Sequence, residues 1–138
     1  MADQHSTSAA LRCIIVTPEA TVLDATCDFV ALPLFDGEAG IAPGRAPLIG
    51  RLGYGELRVR KAGETSHYYV DGGFVQVADN LVSVLTNRAI PATALDTSTA
   101  QQQLDAALHS HAIGDAELAI RDRQLSQARG QLRVASRV

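Results

Sequence analysis

YVDGGFVQVADNLVSVLTNRAI, residues 69–90, holds the pattern from which the architecture of this chain is read. Val75 and Val77, then Val82 and Val84, recur at every second position on either side of Ala78-Asp79-Asn80, so two half-buried strands meet at a tight turn. Upstream in the same stretch, Asp71-Gly72-Gly73 lies between Val70 and Phe74. Glycines inside a strand pattern predict a bulge or a close approach between sheet layers. Working outward, residues 56–61 repeat the period of two, Leu57 and Val59 alternating with Arg58 and Arg60. Residues 11–17 form a β-branched run stopped by Pro18, and residues 28–35 are apolar enough for a buried strand. Many short strands at close spacing predict an antiparallel β-sandwich, or flattened barrel, over residues 11–90. Residues 1–10 are polar and read as a loose terminus.

The period changes after Pro91. All five prolines and nine of the eleven glycines lie at or before that residue, and the residues beyond it have helical spacing. Ala100, Leu104, Ala107, Leu108 and His111 predict one helix face, with Asp96 or Thr97 placed to cap its start. Gly114-Asp115 ends this helix and opens a second, in which Leu118, Leu125 and Leu132, interleaved with Arg121, Ala128 and Ala135, predict the packing face. The expectation for residues 91–138 is an αα-hairpin. It is too short and too alanine-rich to stand alone, so it must dock on the sandwich or on a partner.

Composition narrows the function. With 138 residues, 46% of them apolar, the chain has enough material for one domain with a real core and a small appendage. A net charge of −3 argues against a nucleic-acid-binding protein. The longest apolar run, residues 29–35, contains Pro33 and is far short of the ~20 residues that span a bilayer, so any membrane attachment is expected to come through partners. Cys13 and Cys27 fall in apolar alternating runs and read as reduced, buried thiols of an intracellular protein. His109 and His111 are two apart on a helix, whereas a helical metal pair needs three or four, and no metal site is expected. No phosphate loop or nucleophile elbow occurs. The C-terminus stands out, because Arg123, Arg129, Arg133 and Arg137 come after Asp122 with no further acid. Arg129, Arg133 and Arg137 border the leucine face and Arg121 lies within it, with Glu117 in position to pair with Arg121. This basic border suits an acidic protein surface.

The segment DGEAGIAPGRAPL at 36–48 is the densest in backbone-restricting residues. Gly37, Gly40, Pro43, Gly44 and Pro47 predict a shaped loop, its polar tips Asp36, Glu38 and Arg45 and its apolar anchors Ile41 and Leu48. Together with residues 69–90, LDTSTA at 95–100 and QLRV at 131–134, this loop resembles the epsilon subunit of F-type ATP synthase, whose pattern runs close to G-E-x-G-I-x-P-G-H-A-P-L. Arg45 stands where the family commonly has histidine.

The resemblance implies a non-catalytic rotor subunit that joins the gamma subunit to the membrane c-ring, couples proton flow to ATP synthesis, and regulates hydrolysis through its C-terminal helices. It implies a peripheral place on the cytoplasmic face of a bacterial inner membrane. The implied rotor-interface residues are Glu38, Gly40, Ile41, Pro43, Arg45, Pro47 and Leu48, with Glu38 toward the ring and Arg45 toward gamma. The implied regulatory contacts to the catalytic beta and alpha subunits are Arg121, Arg123, Arg129, Arg133 and Arg137. Some bacterial members bind ATP through I/L-D-x-x-R-A. Leu95, Asp96 and Ala100 match that pattern, but Thr99 replaces its arginine, so ATP is expected to bind weakly or not at all and Asp96 to act as a helix cap. Two rival readings of the residues are a free-standing small-ligand or nucleotide sensor with a helical lid, and a metal-free β-barrel enzyme.

Overall fold

The computed structural model describes residues 10–136; the expected loose terminus at 1–9 and the predicted contact Arg137 lie outside them. Eight strands come first: β1 (Leu11–Val16), β2 (Thr21–Cys27), β3 (Phe29–Leu34), β4 (Gly37–Ile41), β5 (Leu48–Lys61), β6 (Glu64–Ala78), β7 (Leu81–Leu85) and β8 (Ala89–Pro91). A 3₁₀ turn at Ala92–Ala94 leads to helices α1 (Thr97–Leu108) and α2 (Asp115–Ser136). The hydrogen-bonded order is β2-β1-β7-β6-β5-β3-β4, with β8 also on β6. Neighbours are antiparallel except β1 and β7, which run parallel. The sheet is therefore mixed where an all-antiparallel one was expected, and it is open, with β2 and β4 as edges.

One core holds it together, drawing Cys13, Ile15, Val30, Leu32, Leu52, Leu57, Val70, Val75 and Val84 from both layers. The long strands β5 and β6 supply both layers, and their side chains show how. In β5 the inward residues are even-numbered at Leu52 but odd-numbered at Leu57 and Val59; in β6 they change from Val70 to Val75 and Val77. Inward phase can flip only where side chains are not forced to one face, and both flips occur at glycines, Gly53 and Gly55 in β5 and Gly72-Gly73 in β6. The Asp71-Gly72-Gly73 signal is thus a layer-crossing corner. The β5–β6 register runs through it without a shift, so no bulge forms there in that ladder. Gly73, at φ +110°, lies against the Leu85 carbonyl so closely that a Cβ would collide with it.

Two-residue turns close the β6–β7 and β5–β6 hairpins. Asp79 and Asn80, at φ +52° and +61°, join β6 to β7 as the sequence predicts, and Ala62-Gly63 joins β5 to β6. The segment at 36–48 departs from expectation. Gly37–Ile41 is a strand rather than loop, because at an edge it needs only one partner, β3. The true loop is residues 42–47.

The hairpin packs on the outer side of the corner. At Gly130 a Cβ would stand 3.0 Å from the Tyr54 carbonyl oxygen and 3.1 Å from the Tyr69 ring, so α2 presses its backbone onto β5 and β6 there. That contact selects the buried face, which is Ala128, Gly130, Gln131 and Val134. The predicted leucine face is corrected accordingly. Leu118 is 39% exposed, and Leu125 and Leu132 are only half-buried. In α1, Ala100 and Ala107 are buried, whereas Leu108 is exposed and His111 lies beyond the helix end. Docking rests on a small cluster of Tyr69, Ala92 and Val134, with Tyr54, Ile90 and Leu95 against it.

Candidate functional site

The layer change leaves the molecule with two outer faces of different character. On the first, Tyr54, Glu56 and Arg58 of β5 stand beside His67, Tyr69 and Asp71 of β6, and the hairpin covers the Tyr54–Tyr69–Asp71 end. On the second, Ile49, Arg51, Phe74 and Leu85 face outward, joined by Phe35 from the β3–β4 turn. Phe35, Ile49, Phe74 and Leu85 are 63, 77, 61 and 56% exposed. Phe35, Phe74 and Leu85 rim a cleft of about 610 Å³ floored by Leu52, Tyr54 and Gly73, and the Arg51 guanidinium lies 4.4 Å from the centre of the Phe35 ring. This apolar face is not among the sites expected from sequence. Its trace is there: Phe74 occupies the outward phase of a strand whose inward phase, Val75 and Val77, is already apolar.

The expected rotor-interface residues divide. Ile41 is completely buried in the core, and Leu48 is half-buried, packed against that core. Pro43, Gly44, Arg45 and Pro47 are exposed. The loop is held at two points, by the Gly44 N–H donating to Asn80 Oδ1 at 2.7 Å and by Arg45 Nη1 donating to the Gly40 carbonyl at 2.8 Å. Gly40 itself seats the Phe29 ring. Glu38, half exposed on β4, receives both terminal nitrogens of Arg58 at 3.0 Å; Arg58 also reaches Glu56, which accepts His67 Nδ1 at 2.9 Å. Arg58 is thus built into the same network as Glu38. The Glu38 and Glu56 hydrogen bonds raise its pKa further above the ordinary arginine value.

The hairpin arginines divide too. Arg121 donates Nε to the Ala107 carbonyl at 3.0 Å, tying α2 to the end of α1, and Glu117 accepts the Ile113 N–H at 3.0 Å. The expected Glu117–Arg121 pair does not form, because each group satisfies a helix-end backbone group instead. Arg123, Arg129 and Arg133 are exposed and have no ion pair among the described residues. Arg129 and Arg133 border a cleft against Phe35 and Tyr54.

Leu95, Asp96 and Ala100 are each in structural use. Leu95 packs on the docking cluster and Ala100 is buried between elements. Asp96 caps α1, accepting the Ser98 and Thr99 N–H groups at 3.0 and 3.2 Å and the Thr99 hydroxyl at 2.7 Å. The Thr99 hydroxyl, then its N–H, hold the carboxyl below its ordinary pKa. Cys13 is buried and its thiol is pushed up to about 12 by desolvation. Among the described residues no His, Cys, Asp and Glu cluster could hold a metal ion.

Comparison with known proteins bears on the fold and the family. Residues 10–92 match the family described as ATP synthase, Delta/Epsilon chain, beta-sandwich domain. The ATP synthase epsilon chain of Rhodopirellula baltica is 51% identical over 126 residues, covering 91% of this chain and 98% of that one. The epsilon chain of Nitratidesulfovibrio vulgaris is 39% identical over 98 residues, 71% of this chain and 73% of its own. Among solved structures, a chain of the Euglena gracilis mitochondrial ATP synthase OSCP/F1/c-ring assembly superposes with a TM-score of 0.80 at 21% identity, covering 88% of this chain and 79% of that chain. One from the Tetrahymena thermophila central stalk and c-ring gives 0.67 at 14%, covering 91% and 96%; at these identities both speak for the fold. The sandwich, the helical hairpin and the extent of identity together show that the chain belongs to the epsilon chains of ATP synthase, non-catalytic subunits of that complex.

Proposed function

We propose that the sandwich binds the gamma shaft through its uncovered outer face and reaches the membrane c-ring through its β4 edge, while the hairpin restrains ATP hydrolysis. The observation that carries this reading is the set of four large apolar side chains, Phe35, Ile49, Phe74 and Leu85, left in water on one face. Clustered apolar exposure of that kind marks a docking surface, and Arg51, over the Phe35 ring, adds a cation beside it; Arg45, on the exposed loop at 42–47, is also assigned to gamma. Glu38 is assigned to the ring, where its carboxylate is presented at a sheet edge. Arg123, Arg129 and Arg133, lacking acidic partners within the described chain, are assigned to the acidic surface of the catalytic beta and alpha subunits. Coupling of proton flow to ATP synthesis, and a peripheral place on the cytoplasmic face of a bacterial inner membrane, follow from that assembly; no helix among the described residues is long and apolar enough to cross a bilayer. ATP binds weakly or not at all, a reading supported by the use of Asp96 and Thr99 for capping.

Affinity for isolated gamma subunit tests the shaft contact. Burying one Phe or Leu side chain contributes about 1.5–3 kcal/mol, so Phe74→Asp and Leu85→Asp each weaken binding by at least tenfold. Arg45→Glu also weakens it. Unchanged affinity in both apolar-face variants would show that gamma docks elsewhere.

A further inference from the structure

Where the hairpin meets the sandwich, three elements are joined through one side chain. Gln127 of α2 donates Nε2 to both carboxylate oxygens of Asp71 on β6, at 3.1 and 3.2 Å, and its Oε1 accepts Nε2 of Gln103 on α1 at 3.2 Å. An ionised carboxylate only accepts, so the Gln127 amide can be placed one way round alone, and Gln103 must then donate. The chain Gln103 → Gln127 → Asp71 is therefore directional. Asp71 itself is 6% exposed and sits at the layer-crossing corner. Its other neighbours stand further off, the Tyr69 hydroxyl at 3.4 Å and Arg88 Nε, in an ion pair, at 3.6 Å.

We propose that Asp71 and Gln127 form a latch that sets how often the hairpin leaves the sandwich. The apolar docking cluster is small, so this charge-assisted bond is a large part of what docking gains. It is also readily reversed. When α2 departs, water reaches Asp71 and replaces Gln127, so no charge is stranded in a dry site; a purely apolar seal of equal strength would need a larger face. The position of the latch, 56 residues apart in sequence, makes it a feature of this chain's tertiary packing rather than of either helix. Its regulatory meaning rests on the braking role proposed above, but the latch is read on the isolated full chain, so the two fail separately.

The test is native-state hydrogen exchange resolved by element. Gln127→Glu sets carboxylate against carboxylate and speeds exchange of α1 and α2 amides by about ten- to a hundredfold, the range set by a hydrogen bond to a charged group, with β5 and β6 amides unchanged. Asp71→Asn combined with Gln127→Glu reverses the donor and acceptor while leaving Gln103 its acceptor, and returns helix exchange toward the parent rate. Gln101→Ala, which removes a side-chain bond to Asp105 within α1 only, leaves the docking unaffected. Parental helix exchange in Gln127→Glu, an equal rise in the strands, or no rescue by the exchanged pair would each overturn the proposal.

Discussion

Replacing Gly130 with alanine adds one methyl group at the point where α2 bears on the sheet. The new Cβ would lie 3.0 Å from the Tyr54 carbonyl oxygen and 3.1 Å from the ring of Tyr69, itself completely buried. Comfortable carbon contacts begin near ~3.5 Å, and one of the two neighbours is backbone, so the helix must lift by roughly half an ångström. Overpacking of this kind costs about 1–3 kcal/mol. Alanine also favours a helix over glycine by about 0.8–1.0 kcal/mol, but α2 remains helical whether docked or released, so that gain cancels from the docking equilibrium. The net effect is a shift of the docked-to-released ratio by about 5- to 150-fold. Energy transfer between a dye on the hairpin and one on β2 measures the released fraction, with Gln124→Ala as an exposed helix control. A docked fraction equal to or above the parent's would refute the claim that Gly130 is the seat of the hairpin.

Other outcomes rest on local geometry. Asp96 has its folded pKa depressed from 3.8, so its contribution to stability is complete above the unfolded value, declines as pH falls past it, and is gone below the folded one. The start of α1, followed by amide exchange, frays across that acid window in the parent, and Asp96→Asn moves the onset of fraying; an α1 indifferent to acidification through that window would contradict the capping assignment. Ala62 is held at φ +52° in the β5–β6 turn, a conformation costing a non-glycine residue about 1–2 kcal/mol. Ala62→Gly therefore raises the thermal midpoint by a few degrees, and a fall would show that the turn is not strained. Calorimetric titration finds little or no ATP binding to the native chain, while Thr99→Arg improves it; tight binding by the native chain would show that another cation replaces the missing arginine.

Local chemistry is legible in the sequence, and packing set by distant residues is not. The change of period after Pro91, the Asp79-Asn80 turn and the Asp96 cap each depend on close sequence neighbours. The strand Gly37–Ile41 is hidden because glycine and proline signal a loop unless an edge is available, and which strand lies at an edge is a property of the whole sheet. The leucines of α2 suggest the wrong face because the helix orientation is fixed by the approach of Gly130 to Tyr54 and Tyr69, residues far from it in the chain. Phe74 and Leu85 read as ordinary strand residues until the layer change at Gly72-Gly73 turns them outward. Asp71, visible only as part of a glycine signal, gains its role from Gln127.

The most direct measurement is ATP hydrolysis by the complex assembled with a chain ending at residue 91, compared with the full chain at matched subunit composition. The account predicts that the shortened chain still assembles, since its core and its apolar face lie before Pro91, and that hydrolysis rises. Arg129→Ala with Arg133→Ala in the full chain reproduces part of that rise. Equal rates in correctly assembled complexes with and without residues 92–138 would contradict the account and leave the hairpin a structural element.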